Sequence, residues 1–202
     1  FPVQPGSLEQ ALRALPLLGI AGVNLTIPHK VEAMAVLDRI DDLTRRIGAA
    51  NTIIVAEDGA LEGRNTDGYG FIESLRAGAK EWSAAAGPAV VLGAGGAARA
   101  VCVALLDAGA PEVRITNRTD ARAQALAEEF GLTPIPWADR AAALDGAALV
   151  ANATSLGMTG QPPLEVSLDA LPSDALVHDI VYAPLETELL AQARVRGNPI
   201  VD

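Results

Sequence analysis

Two stretches carry residues whose types and spacing could do chemistry. "VNLTIPHK", Val23 to Lys30, starts as an apolar strand, meets Pro28 and ends on His29 and Lys30. Loops at strand ends are where folds keep their chemistry. Lys30 is therefore either a working ammonium or a solvated one, and His29 either an acid/base group or a residue packing locally beside Pro28. The second stretch, "VVLGAGGAARAV", holds Gly93-x-Gly95-x-x-Ala98 between a predicted strand and a predicted helix. The first glycine permits a tight turn, the second lets backbone approach a pyrophosphate, and the small third residue lets helix and strand pack closely. The helix start adds free N–H groups and a positive dipole. In this context dinucleotide binding is expected, the alternative being a glycine-rich turn in a ligand-free α/β domain.

The next strand tip bears on which dinucleotide. NAD sites typically present Asp or Glu there to the ribose 2′-hydroxyl. Here "EVRITN" ends in Asn117-Arg118-Thr119, with Arg122 one turn further on. Arg118 can stack on adenine or pair with a 2′-phosphate, and Arg122 adds charge. NADP is expected over NAD, against the alternative of two solvated arginines. Asp120, between them, reads as a helix-start residue rather than a ribose clamp.

Composition narrows the partners. The 202 residues suffice for one large domain or two small ones. Half are hydrophobic and only 3% aromatic, so Ala, Val, Leu and Ile must build the core. A net charge of −10 repels phosphate backbones and anionic lipid heads, so no nucleic acid and no membrane is expected as partner. The single cysteine, Cys102 in "RAVCVALL", reads as a buried helix residue. No Cys/His cluster has metal spacing, and no metal is expected. No apolar run reaches transmembrane length. "FPVQPGSLEQ" lacks the features of a signal peptide, so a cytoplasmic location is expected. It also lacks an initiator Met, as in a fragment or a trimmed chain.

These groups need elements to carry them. "SLEQALRAL" predicts an amphipathic helix with Ser7 as N-cap. "GIAGVNLTI" predicts a strand, "KVEAMAVLDRI" a helix and "DDLTRRIGA" a second, shorter helix. In "NTIIVAEDGALEGRNTDG", two β-type runs flank Asp58-Gly59, a strong hairpin signal that brings Asn51 near "RNTDG". "YGFIESLRAG" predicts a helix ending on Gly78, and "AKEWSAAAGP" a domain boundary. Beyond it, "AVVLG", "EVRITN", "AALVANAT" and "ALVHDIVY" read as buried parallel strands. Helical runs are expected at 97–108, 120–130 and 184–196. The fold class is therefore α/β with two domains, 1–80 and 87–202, the second a Rossmann-like domain with a parallel sheet.

"NLTIPHK", "GAANT", "RNTDG", "GAGGAARA", "NRT", "NATSLG" and "YAPLETELL" occur in this order through essentially the whole chain. The set resembles the shikimate dehydrogenase family. That resemblance implies an α/β substrate domain, an NADP-binding Rossmann domain, and reversible reduction of 3-dehydroshikimate to shikimate in the chorismate branch of aromatic amino-acid biosynthesis. It makes Lys30 the catalytic lysine and Asp67 its partner carboxylate. Thr26, Asn51 and Tyr182 match substrate-binding positions. Gly93, Ala94, Gly95, Gly96 and Ala97 match the pyrophosphate loop, and Asn117, Arg118, Thr119 and Arg122 the adenosine-phosphate clasp. Ile180 falls where the family sets an apolar residue against the nicotinamide. Asp42 falls at a position sometimes assigned to the cofactor but reads as a helix-start acid. The resemblance places Lys30 in the cleft between domains, and a homodimer is compatible with it.

The chemistry is coherent by itself. Reducing a ketone delivers hydride to carbon and needs a proton for the developing alkoxide. An ammonium can stabilise that oxyanion and supply the proton, while a nearby carboxylate aims it. Family members usually also have a Ser-x-Ser motif before the equivalent of Phe1, and a glutamine after the equivalent of Asp202. Without these pieces the substrate domain is expected to be partial. Two rival functions stay open: a quinate/shikimate dehydrogenase using NAD or both cofactors, and a non-catalytic NADP-binding paralogue.

Overall fold

Leu8, Leu12 and Leu15 recur every three or four residues, and all three are buried, the first two in α1 (Leu8–Ala14) and Leu15 at its C-cap; α1 is the first helix of the computed structural model, which describes residues 1–202. Ser7 stands at its N-cap but makes no capping bond, because its ψ of 6° lies outside the extended region a capping residue needs. Strand β1 (Gly22–Asn24) follows, then the single turn α2 (His29–Glu32).

The helix expected through "KVEAMAVLDRI" does not form as one piece. After α2 the chain makes a 3-10 turn at Ala33–Ala35 and then a strand, β2 (Arg39–Ile40). Asp38 is the reason. One of its oxygens accepts from Leu61 N at 2.8 Å and from Arg13 at 2.7 Å, pinning the chain to a sheet edge. Helix α3 (Asp42–Ile47) then starts on Asp41, whose carboxylate accepts from Thr44 N at 2.7 Å.

The Asp58-Gly59 turn joins β3 (Thr52–Val55) to β4 (Leu61–Arg64) as an antiparallel hairpin, with Gly59 at φ +82° and Asp58 accepting from Ala60 N. The sheet order is β1-β3-β4-β2; β1 runs antiparallel to β3 and β2 parallel to β4. Leu8, Leu12, Ala33, Ile53 and Leu61 fill the core beneath it. These elements belong to the first of two compact units, Phe1–Asp67; the second is Gly68–Asp202.

Helix α4 (Asp67–Gly78) begins on the last residue of the first unit, and its Phe71, Ile72 and Leu75 join the core of the second. That unit is a six-stranded parallel sheet built from β5 (Ala89–Leu92), β6 (Val113–Thr116), β7 (Thr133–Ile135), β8 (Leu149–Asn152), β9 (Leu176–Asp179) and β10 (Ile200–Val201). The order is β10-β9-β8-β5-β6-β7, so the winding reverses between β5 and β8, where open α/β sheets bind ligands. Alternate residues serve two cores: Ala89 and Val91 face one, Val90 and Leu92 the other. Burial on both faces is why these strands read as continuous apolar runs.

Helices α5 (Gly96–Asp107) and α6 (Asp120–Phe130) form where the spacing predicts. The last, α7 (Glu188–Arg196), starts later than Pro184 because the Thr187 hydroxyl caps it, accepting from Leu190 N. Strands β7 and β10 were not expected. β7 contains Pro134 and lies at one edge of the sheet, where a missing N–H is tolerated; β10 is two residues at the other edge. Cys102 is fully buried, and burial pushes its thiol up to about 12, so it packs rather than reacts. No helix is long and apolar enough to cross a membrane, and no group of three His, Cys, Asp or Glu could hold a metal ion.

Candidate active site

Lys30 sits in α2, and its backbone carbonyl accepts from Ala50 N at 2.8 Å, tying the turn to the entry of β3. Its ammonium donates to Asp67 Oδ2 at 2.7 Å, with the two side chains 14% and 23% exposed. Asp67 is the first residue of α4, where a carboxylate is favoured by the helix dipole. An Asx turn delivers it there: Asp67 N donates to Asn65 Oδ1 at 3.0 Å, and Asn65 Nδ2 donates to Ala49 O at 2.8 Å.

The other Asp67 oxygen accepts from Asn51 Nδ2 at 2.7 Å. Asn51 is buried and saturated. Its amide also donates to Thr66 Oγ1 at 2.9 Å, and its oxygen accepts from Thr52 Oγ1 at 2.9 Å and Thr66 N at 3.0 Å. The hairpin thus joins Asn51 to "RNTD", and a third residue, Lys30, closes the array. Thr26 lies on the exposed loop after β1, where its carbonyl accepts from His29 N. His29 is buried with both ring nitrogens engaged, 2.9 Å from Val3 O and 3.2 Å from Glu32. It is a local packing group.

In the second unit the remaining candidates follow the carboxyl ends of the interior strands β5, β6 and β9. Gly93, at φ +112°, ends β5 and is pressed against the next loop: a Cβ there would lie 2.9 Å from Ala153 O. Gly95 is different. It caps α5 with extended backbone and no side-chain bond, and a Cβ on it would meet nothing within 4 Å. Open space before the N–H groups of a three-turn helix fits a diphosphate.

After β6, Asn117 donates to Thr119 O at 3.0 Å, and Arg118, Thr119 and Arg122 are exposed. No acid stands at this strand tip. Asp120, in the first turn of α6, accepts from Trp137 N at 3.0 Å, as suits a helix-start residue. After β9, Ile180 is partly buried against the core and Tyr182 is 77% exposed. Sequence reasoning missed Asn152, Asp179 and Thr187, which form a buried hydrogen-bonded set at the same carboxyl end of the sheet. Their signal was polar letters closing apolar strands.

A lysine–carboxylate array in one α/β unit, followed by a parallel-sheet unit with a glycine turn, defines a Rossmann-type oxidoreductase. Comparison with known proteins is specific. Residues 1–53 match the family described as shikimate dehydrogenase substrate binding domain, and residues 78–158 match shikimate / quinate 5-dehydrogenase. A shikimate dehydrogenase (NADP(+)) of Paramagnetospirillum magneticum is 56% identical over 202 residues, 99% of this chain and 73% of that protein. A shikimate 5-dehydrogenase of Thermus thermophilus, solved with NADP(H) and shikimate, superposes with a TM-score of 0.84 at 41% identity, covering 98% of this chain and 72% of that one. A quinate dehydrogenase of Corynebacterium glutamicum, solved with NAD, gives a TM-score of 0.85 at 32% identity over 96% of this chain and 71% of that one. The chain belongs to the shikimate dehydrogenase family.

Proposed function

We propose that this chain catalyses the reversible NADPH-dependent reduction of 3-dehydroshikimate to shikimate. The observation that carries the reading is the Lys30–Asp67 contact at 2.7 Å, braced by Asn51. Lys30 faces the carbonyl oxygen of the substrate, stabilises the developing alkoxide and donates the proton that makes it a hydroxyl. In the reverse direction it takes that proton back. Asp67 aims the ammonium. Asn51 keeps the carboxylate from swinging, and a substrate hydroxyl that binds Asn51 must displace one of its present partners. Thr26 and Tyr182, both exposed, have free hydroxyls for the remaining ring substituents.

The dihydronicotinamide of bound NADPH supplies the hydride. Gly93 to Ala97 would hold its pyrophosphate, Asn117, Arg118, Thr119 and Arg122 its adenosine phosphate, and Ile180 its nicotinamide face. The preference for NADP rests on a strand tip without an acid and on Asp120 being occupied by Trp137 N. A cytoplasmic location and a homodimer accompany this reading; sedimentation reads the second.

The test is NADP+ reduction by the full-length protein with shikimate as donor, with quinate and NAD+ as parallel arms. Faster turnover with quinate and NAD+ would replace the proposal with the quinate reading. No turnover in any arm, with NADPH still bound, would make the chain a binding paralogue.

A further inference from the structure

Strands β8 and β9 are apolar until Asn152 and then His178 and Asp179, and the two strand-end residues are among the most buried in the chain, at 0% and 1% exposure. A buried carboxylate is costly unless hydrogen-bonded. Asp179 is held by three neutral donors. Its Oδ1 accepts from Asn152 Nδ2 at 2.9 Å and Val181 N at 3.0 Å, and its Oδ2 accepts from Thr187 Oγ1 at 2.7 Å. Burial raises the carboxyl above its ordinary range against the pull of those three bonds.

The partners show what the carboxylate organises. Val181 N and Thr187 stand near the two ends of the loop 180–186, so one side chain clamps both. Between them, Tyr182 and Leu185 are 77% and 73% exposed; the other ties of the loop are Ile180 N, which donates to Asn152 O at 3.1 Å, Ala183 O, which accepts from Thr159 N, and Glu186, which accepts from Arg194 at 2.9 Å. Ile180 and Val181 pack against the core, so the weakly packed part of the loop begins at Tyr182. On the other side, Asn152 Oδ1 accepts from Thr154 N at 3.0 Å and Thr154 Oγ1 at 2.7 Å, and its amide donates to Leu156 O at 3.2 Å. That shapes the 153–154 backbone against which Gly93 is pressed.

We propose that Asp179, acting through Thr187 and Asn152, is a positioning residue for the hydride transfer. It sets the Ile180–Tyr182 loop in register with the glycine turn after β5. The inference rests on the function proposed above, because Ile180 and Tyr182 matter only if they meet nicotinamide and substrate. Small misplacements of such groups cost large factors in rate.

Thr187→Val removes the hydroxyl from the clamp at nearly constant shape, together with the α7 cap to Leu190 N, and Thr187→Ser restores both; Asp179→Asn, which leaves that cap in place, must show the same kinetic loss if the clamp is the cause. All three are made in the full-length protein. Shikimate kinetics, NADPH affinity, melting temperature and chymotryptic cleavage after Tyr182 are then measured. In Thr187→Val, kcat/KM for shikimate should fall roughly 10-fold or more. NADPH affinity should stay within about 3-fold, because the adenosine-phosphate clasp after β6 is untouched. Cleavage after Tyr182 should quicken, and Thr187→Ser should recover most of each change. A Thr187→Val protein that melts earlier but keeps wild-type kinetics and cleavage overturns the proposal. So does a Thr187→Ser protein as impaired as Thr187→Val. If the wild type does not oxidise shikimate yet the valine variant is cleaved faster, the clamp stands and the assigned reaction fails.

Discussion

Lys30 and Asp67 are 37 residues apart in the chain and 2.7 Å apart at their side-chain tips. The contact is made by two short-range devices: a single helical turn after β1 and an Asx turn that starts α4 on Asp67. Because the carboxylate is gripped on its other side by Asn51, the ammonium has one well-defined direction.

Lys30→Ala should therefore lower kcat by a factor on the order of 10²–10⁴, the usual worth of a positioned proton donor. The alkoxide charge exists mainly in the transition state, so the loss belongs on kcat. NADPH affinity should be unchanged, since the glycine turn lies elsewhere in the chain. Steady-state kinetics and a fluorescence titration check both halves; near-normal kcat would remove Lys30 from the chemistry.

Asn51→Ala should damage both fold and rate. It strips Asp67 Oδ1 and Thr66 of their partner inside a nearly buried network. Leaving such groups unpaired costs about 1–3 kcal/mol. Turnover should drop as Asp67 gains freedom, while Thr52→Val, which removes a donor to Asn51 and an acceptor for Asn24 but leaves the Asn51–Asp67 bond in place, should do much less. Urea unfolding paired with shikimate kinetics measures the two effects separately.

The legible parts of this chain were those whose cause is local. Helix α6 appears at 120–130 because its apolar spacing and its start residue agree, and the glycine turn falls between β5 and α5 for the same reason. The segment around Asp38 misled because its strand depends on a distant N–H, Leu61, that no local pattern shows. Strand β7 hid behind Pro134. The Lys30–Asp67 pairing came from resemblance alone, since a separation of 37 residues has no periodicity to read. Asp179 was overlooked for a related reason: its partners Asn152 and Thr187 lie 27 and 8 residues away, and only burial reveals that it needs them.

Replacing Arg118 with Ala should weaken NADPH by roughly 10- to 100-fold and NADH by less than about 3-fold, because only NADPH offers a phosphate for charge-assisted bonds. Asp120→Ala should leave that preference in place, since its carboxylate is already turned to Trp137 N. Equal weakening of both cofactors by Arg118→Ala would reduce the arginine to an adenine support.

Gly95→Ala and Gly93→Ala should separate binding from folding. At Gly95 the backbone is ordinary and the added methyl meets nothing, so melting should hardly change while NADPH affinity falls. At Gly93 the same methyl faces Ala153 O at 2.9 Å from a φ of +112°, so strain of about 1–3 kcal/mol should appear without any cofactor. Melting curves with and without NADPH decide it; a Gly95→Ala protein with normal affinity would mean the open space is not the pyrophosphate site.

His178 should make the second unit lose stability as pH falls below neutrality. Ser74 Oγ donates its one hydrogen to Phe71 O at 2.8 Å, so the 2.9 Å contact with His178 must be donated by Nε2. The ring is then neutral, with Nδ1 bare, buried and unpartnered. Protonating it would bury an unpaired charge, and burial accordingly lowers this histidine from 6.5 to about 4. The folded value lies below the unfolded one. The contribution is therefore complete above about pH 6.5 and is lost progressively as pH falls toward 4, where the unfolded chain binds a proton that the native state refuses. Between pH 6.5 and 5, where most carboxylates are still ionised, the loss should be about 1.5 kcal/mol. Both tryptophans, Trp82 and Trp137, lie in residues 68–202, so their fluorescence during urea unfolding follows this unit. His178→Phe keeps a ring beside Phe71 and leaves Ser74 its bond to Phe71 O, and it should flatten the dependence over that window. An unchanged slope in His178→Phe would assign the acid sensitivity to other groups.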